Sequence, residues 1–196
     1  MAICDSHDEN SLHKAARNGR EACAELLLAN GISVNSLNKD NWSPLHCAAC
    51  NGRTETTKLL VERNAMIHLA TKSQKKTALH FAVQNGHFKS VEILLEAGSD
   101  MEIVDCEGNN AITIAALSGH RNIFEKLIEF GANYQNGKDL LLLATKKGNN
   151  EIVISLLELH HDLYMPQLIS MIDLLISTSP NGLFHYLNLC CSNIYV

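Results

Sequence analysis

Aliphatic and small residues fall along this chain at fixed distances from a series of glycines. With Gly19, Gly52, Gly86, Gly119 and Gly148 as the ruler, the spacings are 33, 34, 33 and 29 residues. Seven positions before each glycine stands Leu12, Leu45, Leu79, Ile112 or Leu141, and four before stands alanine every time: Ala15, Ala48, Ala82, Ala115 and Ala144. Eight positions after comes Leu27, Leu60, Leu94, Leu127 or Leu156, each followed by a second aliphatic residue. The offsets predict a short helix before each glycine and a second helix after it. Asn10, Ser43, Thr77, Asn110 and Asp139 stand at the N-cap positions, where a short polar side chain accepts hydrogen bonds from the first free amides. Pro44 falls at a first helical position, where its missing N–H costs nothing. The glycine closes the first helix in the left-handed conformation that a C-cap favours. The paired aliphatic residues of the second helix face the first, and the alanine column lets neighbouring first helices approach closely. One such pair cannot bury its apolar face, so the units must stack into an all-α solenoid with one continuous core.

The repeated decapeptides carry a recognisable signature. "NSLHKAARNG" begins at Asn10, "SPLHCAACNG" at Ser43 and "TALHFAVQNG" at Thr77; "NGH" recurs at Asn85–His87, "SGH" at Ser118–His120 and "GAN" at Gly131–Asn133. With the 33-residue period, these resemble ankyrin repeats over about residues 8–162. The resemblance implies helix-turn-helix units joined by short β-hairpin fingers. It divides the chain into a tail of residues 1–7, five repeats at about 8–40, 41–73, 74–107, 108–136 and 137–162, and an apolar segment of residues 163–196. Repeats four and five depart from the cap motif with "NAIT" and "DLLL", and weaker capping is expected there. One extra residue within "TKSQKK" lengthens the second finger, and the 29-residue spacing shortens the last one to a turn.

The remaining composition narrows the function. A 46% hydrophobic chain of 196 residues is expected to fold. Its 16 Lys and Arg against 21 Asp and Glu give a net charge of -5, which argues against nucleic-acid or anionic-membrane binding driven by bulk charge. No apolar run approaches the ~18 residues of a membrane-spanning helix, and the N-terminus lacks the pattern of a secretory signal. The odd number of cysteines, seven, reads as reduced thiols. The expected compartment is the cytoplasm, with the nucleus also open to the chain.

The residues that look reactive are mostly architectural. His13, His46 and His80 occupy the third helical position of the cap motif, where the resemblance implies a hydrogen bond to the cap side chain. Cys47 and Cys50 share one helical face and invite a zinc reading, but no second cysteine pair follows and structural zinc takes four ligands. No nucleophile elbow, P-loop or dinucleotide-binding glycine motif is present. The chain therefore reads as a non-catalytic module without a cofactor, binding a protein partner. A fragment of a larger channel, scaffold or kinase is the alternative, and an enzyme or metalloprotein whose residues converge only in space is a more distant one.

The resemblance places recognition on the fingertips and the exposed side of the first helices, lining a concave face. Columns that vary between copies nominate Lys39, Asp40 and Trp42, then Lys72, Ser73 and Lys76, then Cys106, Glu107 and Asn109 from the fingers. From the first helices come Arg17, Asn18, Cys50, Asn51, Gln84, Asn85, Leu117 and Ser118. Trp42, the only tryptophan, has two readings: an anchor for a partner, or an indole packed across a neighbouring finger. Charge alternates from the basic Lys72, Lys75 and Lys76 to the acidic Asp105 and Glu107; such an alternation can register one partner, but the favoured reading is a lysine-rich loop that is simply solvated. Beyond Asp162 the ruler continues to Gly182, which reads as a degenerate sixth repeat with an apolar outer face that would dock a second copy, another domain or lipid. The other reading is an unpacked tail.

Overall fold

The computed structural model describes residues 9–134 and 137–159. Ten helices run through these residues: α1 (Ser11–Asn18), α2 (Glu21–Ala29), α3 (Pro44–Cys50), α4 (Thr54–Glu62), α5 (Ala78–Gln84), α6 (Phe88–Glu96), α7 (Ala111–Ser118), α8 (Arg121–Glu129), α9 (Gly137–Lys147) and α10 (Asn150–Leu159). Odd-numbered helices stack on one another in chain order and even-numbered helices do the same, so each unit contributes one helix to each of two layers. The core lies between the layers. Ala48, Ala82, Ala115 and Ala144 are fully buried where first helices meet, and Leu60, Leu94, Leu127 and Leu156 are fully buried against them from the second layer. Leu27, the same column in the first unit, is only half-buried because no described unit precedes it.

The caps form where the side chains dictate. Asn10 accepts the Leu12 and His13 amides and Asn110 accepts Thr113 N–H. Pro44 occupies the first turn of α3. In the second and third units the histidine completes the cap: the backbone N–H of Ser43 and of Thr77 donates to Nδ1 of His46 and His80, each at 3.1 Å. The fourth unit lacks the histidine, and its Thr113 hydroxyl donates to Asn110 Oδ1 instead, at 2.7 Å. That bond stays within the unit. The fifth unit departs from expectation, because α9 begins at Gly137 and Asp139 lies inside its first turn, not ahead of it.

Between the units run three short hairpin turns rather than extended ribbons, and no strand is formed among the described residues. Each is closed by one backbone rung: Asn38 N–H to the Trp42 carbonyl, Thr71 N–H to Lys76, and Asp105 N–H to Asn109. The second turn holds one more residue than its neighbours, as the lengthened "TKSQKK" implies. The shortened turn expected before Asp139 includes residues 135–136, and the degenerate sixth repeat covers 163–196; both lie outside the described residues.

Candidate interaction surface

Every unit is stapled to the one before it by the residue that follows its glycine. Arg53 Nε–H donates to the Arg17 carbonyl at 3.0 Å, His87 Nε2–H to Cys50 at 3.0 Å, His120 Nε2–H to Gln84 at 3.3 Å and Asn149 Nδ2–H to Ala116 at 2.7 Å. These carbonyls end the first helix of the preceding unit, where the backbone has no partner within the helix. Each staple also lies over the glycine of the preceding unit: a Cβ at Gly52 would sit 2.5 Å from His87 Nδ1. Glycine is therefore required twice, for its φ of +63° and for the space above it. Sequence reasoning missed this column. Its signal was present in "NGR", "NGH" and "SGH", but a residue type that changes from arginine to histidine to asparagine hides a shared role.

The cap histidines form a second row of staples at the base of the fingers. Nε2–H of His46 reaches the Leu69 carbonyl at 3.0 Å and that of His80 reaches Ile103 at 2.9 Å. Burial pushes both rings down from their ordinary value, His46 to about 4. A neutral ring is what this geometry requires, since Nδ1 must accept a backbone N–H.

The nominated recognition residues divide into three groups. Asn18, Lys39, Lys72, Ser73, Cys106 and Glu107 are exposed. Arg17, Asp40, Asn51, Lys76, Gln84, Asn85, Asn109, Leu117 and Ser118 are half-buried, and several hold the fingers together. The Asp40 carboxylate accepts from the Ser73 amide at 3.0 Å and hydroxyl at 2.7 Å, while Asp40's carbonyl takes Lys72 N–H. Cys106 N–H donates to the Gln74 carbonyl, tying the third fingertip to the second. Asn85 Nδ2 donates to the Cys50 carbonyl across the joint, and Asn51 Nδ2 to Cys47 within its own helix.

Trp42 and Cys50 form the third group, and the structure corrects their placement. Trp42 is only 4% exposed. Its ring packs against Phe81 with centroids 4.5 Å apart and against His46 at 5.8 Å, joining the first finger to the helices of the next two units. Of the two roles expected for it, the indole takes the packed one. Cys50 is 5% exposed, because Asn85 and His87 of the next unit close over it. Neither offers a side chain to a partner.

Part of the charge alternation is consumed internally as well. Lys76 Nζ lies 3.7 Å from Asp105 Oδ2 and donates to Gln84 Oε1 at 2.9 Å. The Asp105 carboxylate is buried, its other oxygen accepting the Glu107 and Asn109 amides. Lys72, Lys75 and Glu107 remain exposed at the tips. Among the described residues no three His, Cys, Asp or Glu side chains come together to hold a metal, and no helix is long and apolar enough to cross a membrane.

Comparison with known proteins agrees with this architecture. A family model described as ankyrin repeats (3 copies) matches residues 12–105 and 97–166. The chain is 30% identical over 154 residues to a transient receptor potential cation channel subfamily A member 1 homolog of Caenorhabditis elegans, covering 77% of this chain and 13% of that protein. It is 32% identical over 151 residues to the putative palmitoyltransferase ZDHHC13 of Danio rerio, covering 72% of this chain and 23% of the relative. With human palmitoyltransferase ZDHHC13 the identity is 36% over 95 residues, 48% of this chain and 15% of the relative. The chain thus spans less than a quarter of the length of each.

Proposed function

Because the chain belongs to the ankyrin-repeat family, we propose that it is a non-catalytic module that holds a protein partner against its fingertips and the exposed flank of its first helices. Ankyrin repeats are protein-interaction modules. The observation that supports this surface is the division of labour among columns. Residues that recur are engaged in caps, staples and core, whereas two fingertip columns change residue type between units, Lys39, Lys72 and Cys106 in one and Asp40, Ser73 and Glu107 in the other, and Lys72, Cys106 and Glu107 face solvent. Exposed side chains on a rigid scaffold are where specificity can vary at little cost to folding.

A photo-crosslinking residue placed at Lys72 or Cys106 should capture the same protein, and one placed at Lys58 or Lys89 on the second helices should not. The double change Lys72→Glu and Glu107→Lys should abolish that capture while moving stability by no more than ~0.5 kcal/mol. Equal capture from both sides of the molecule would place the interface elsewhere. A second reading rests on the relatives' lengths: the matched region forms 13% of one and 23% of another, so the chain could be the ankyrin section of a larger protein, with the same surface docking that protein's other parts.

A further inference from the structure

The first cap histidine is wired differently from the other two. In the second and third units a neutral ring satisfies everything around it. Nδ1 of His46 accepts the Ser43 amide at 3.1 Å and contacts the Ser43 hydroxyl at 2.8 Å, and Nε2–H donates to Leu69. His80 repeats this with Thr77 and Ile103. In the first unit the cap is an asparagine. Asn10 Oδ1 accepts N–H from Leu12 at 3.0 Å and from His13 at 3.1 Å, which fixes the amide with its oxygen toward the helix. That same oxygen lies 2.7 Å from His13 Nδ1, and the Trp42 carbonyl lies 2.9 Å from Nε2. Both ring nitrogens thus face acceptors that carry no hydrogen. A neutral imidazole has a single N–H, so either tautomer leaves a lone pair against an oxygen. An imidazolium satisfies both contacts.

We propose that His13 is the most readily protonated joint of the stack: in the folded chain it takes up its second proton at higher pH than His46 and His80, because that proton meets the Asn10 oxygen where in the other two units it would break the cap. The surroundings pull in both directions. Burial, the largest influence, lowers the ring, and Arg17 on the same helix adds to that; the carbonyls of Trp42 and Ser36 and the Glu9 carboxylate raise it. His46, on the helix packed against α1, is neutral and adds little charge. The ring as a whole lies below its ordinary value, and the Asn10 oxygen is an additional acceptor on the raising side, close enough for a charge-assisted hydrogen bond that offsets part of the burial. The signs of the joints agree, and their order differs. His46, lowered to about 4, contributes stability that is full above 6.5 and is lost as pH falls through its folded value. His13, lowered as well, contributes with the same sign, but its contribution begins to be lost at higher pH than that of His46.

Long-range proton–nitrogen correlation NMR on the full chain, labelled at histidine and titrated from pH 8 to pH 4.5, separates the three rings. His46 and His80 should remain neutral with the proton on Nε2 at a pH where both His13 nitrogens are protonated. Asn10→Ser rebuilds the cap of the second unit, whose hydroxyl can donate, and should lower the His13 midpoint by about one pH unit or more, a tenfold loss of proton affinity. Asn10→Asp keeps the acceptor, adds charge and should raise it. A His13 midpoint at or below that of His46, or one unmoved by Asn10→Ser, overturns the proposal. A cap that served only to start the helix would show neither response.

Discussion

Trp42 carries its weight at the scale of the residue. It was one of the side chains most easily nominated for a partner, being large, apolar and next to a cap, yet the third unit covers it. Its indole fills the space between His46 and Phe81, and its carbonyl receives His13. Trp42→Ala should cost about 3–5 kcal/mol, as truncation of a buried aromatic residue does, and Trp42→Phe should recover much of that. Chemical denaturation followed by circular dichroism checks it. A variant that lost affinity for its partner while keeping its midpoint would mean that the ring is exposed in solution. Loss of binding in Trp42→Ala alone therefore says nothing about a contact surface, whereas Lys72 and Glu107 can be altered without touching the core.

At the scale of the element, the glycines are of two kinds. Gly52 and Gly98 both take positive φ, +63° and +84°. Nothing lies within 4 Å of the Cβ that Gly98 would gain, so Gly98→Ala meets only backbone strain, about 1 kcal/mol. At Gly52 the same methyl meets the root of the His87 ring at 2.7 Å, and the ring must swing away and release the Cys50 carbonyl. Gly52→Ala should therefore cost about 0.5–1.5 kcal/mol more than Gly98→Ala, the added part being one lost hydrogen bond, since Asn85 Nδ2 still donates to the Cys50 carbonyl. In a Gly52→Ala, His87→Ala double variant the space reopens, and the two losses should fall short of adding. Strict additivity would show that the staple is not under the glycine's control.

At the scale of the whole molecule, stability belongs to the stack and not to any unit. The helices of each unit pack chiefly on those of its neighbours, so the position of a defect matters as much as its kind. Leu94 and Leu156 are equally buried in the same column, one in the middle unit and one in the last described unit. Leu94→Asp buries an unpaired carboxylate, costing more than about 4 kcal/mol, a large part of a domain's total stability. It should also divide the stack into pieces too short to persist, with loss of most helical circular dichroism. Leu156→Asp should fray α9 and α10 and leave the first three units protected in hydrogen exchange. Equal loss of protection throughout in both variants would show that the array unfolds as one body.

The repeating columns determined the helices, their caps, their glycine ends and their stacking order, because those features depend on local geometry and on which positions must be apolar. Leu12, Ala48 and Leu94 were legible for that reason: an offset from a glycine places a side chain on a helix face, and the face decides burial. Only the tertiary structure decided the fate of Trp42, Cys50 and Lys76. Each of these stands in a variable column and is covered by, or bound to, a residue 29 to 39 positions away: Trp42 by Phe81, Cys50 by Asn85 and His87, Lys76 by Asp105. The same holds for His13, whose cap is local but whose second acceptor, the Trp42 carbonyl, arrives from the next joint. A backbone carbonyl has no residue type by which a sequence could announce it. Whether a polar or aromatic side chain meets solvent, a partner or a neighbouring unit depends on how closely the units dock, and that closeness arises from the packing of the stack.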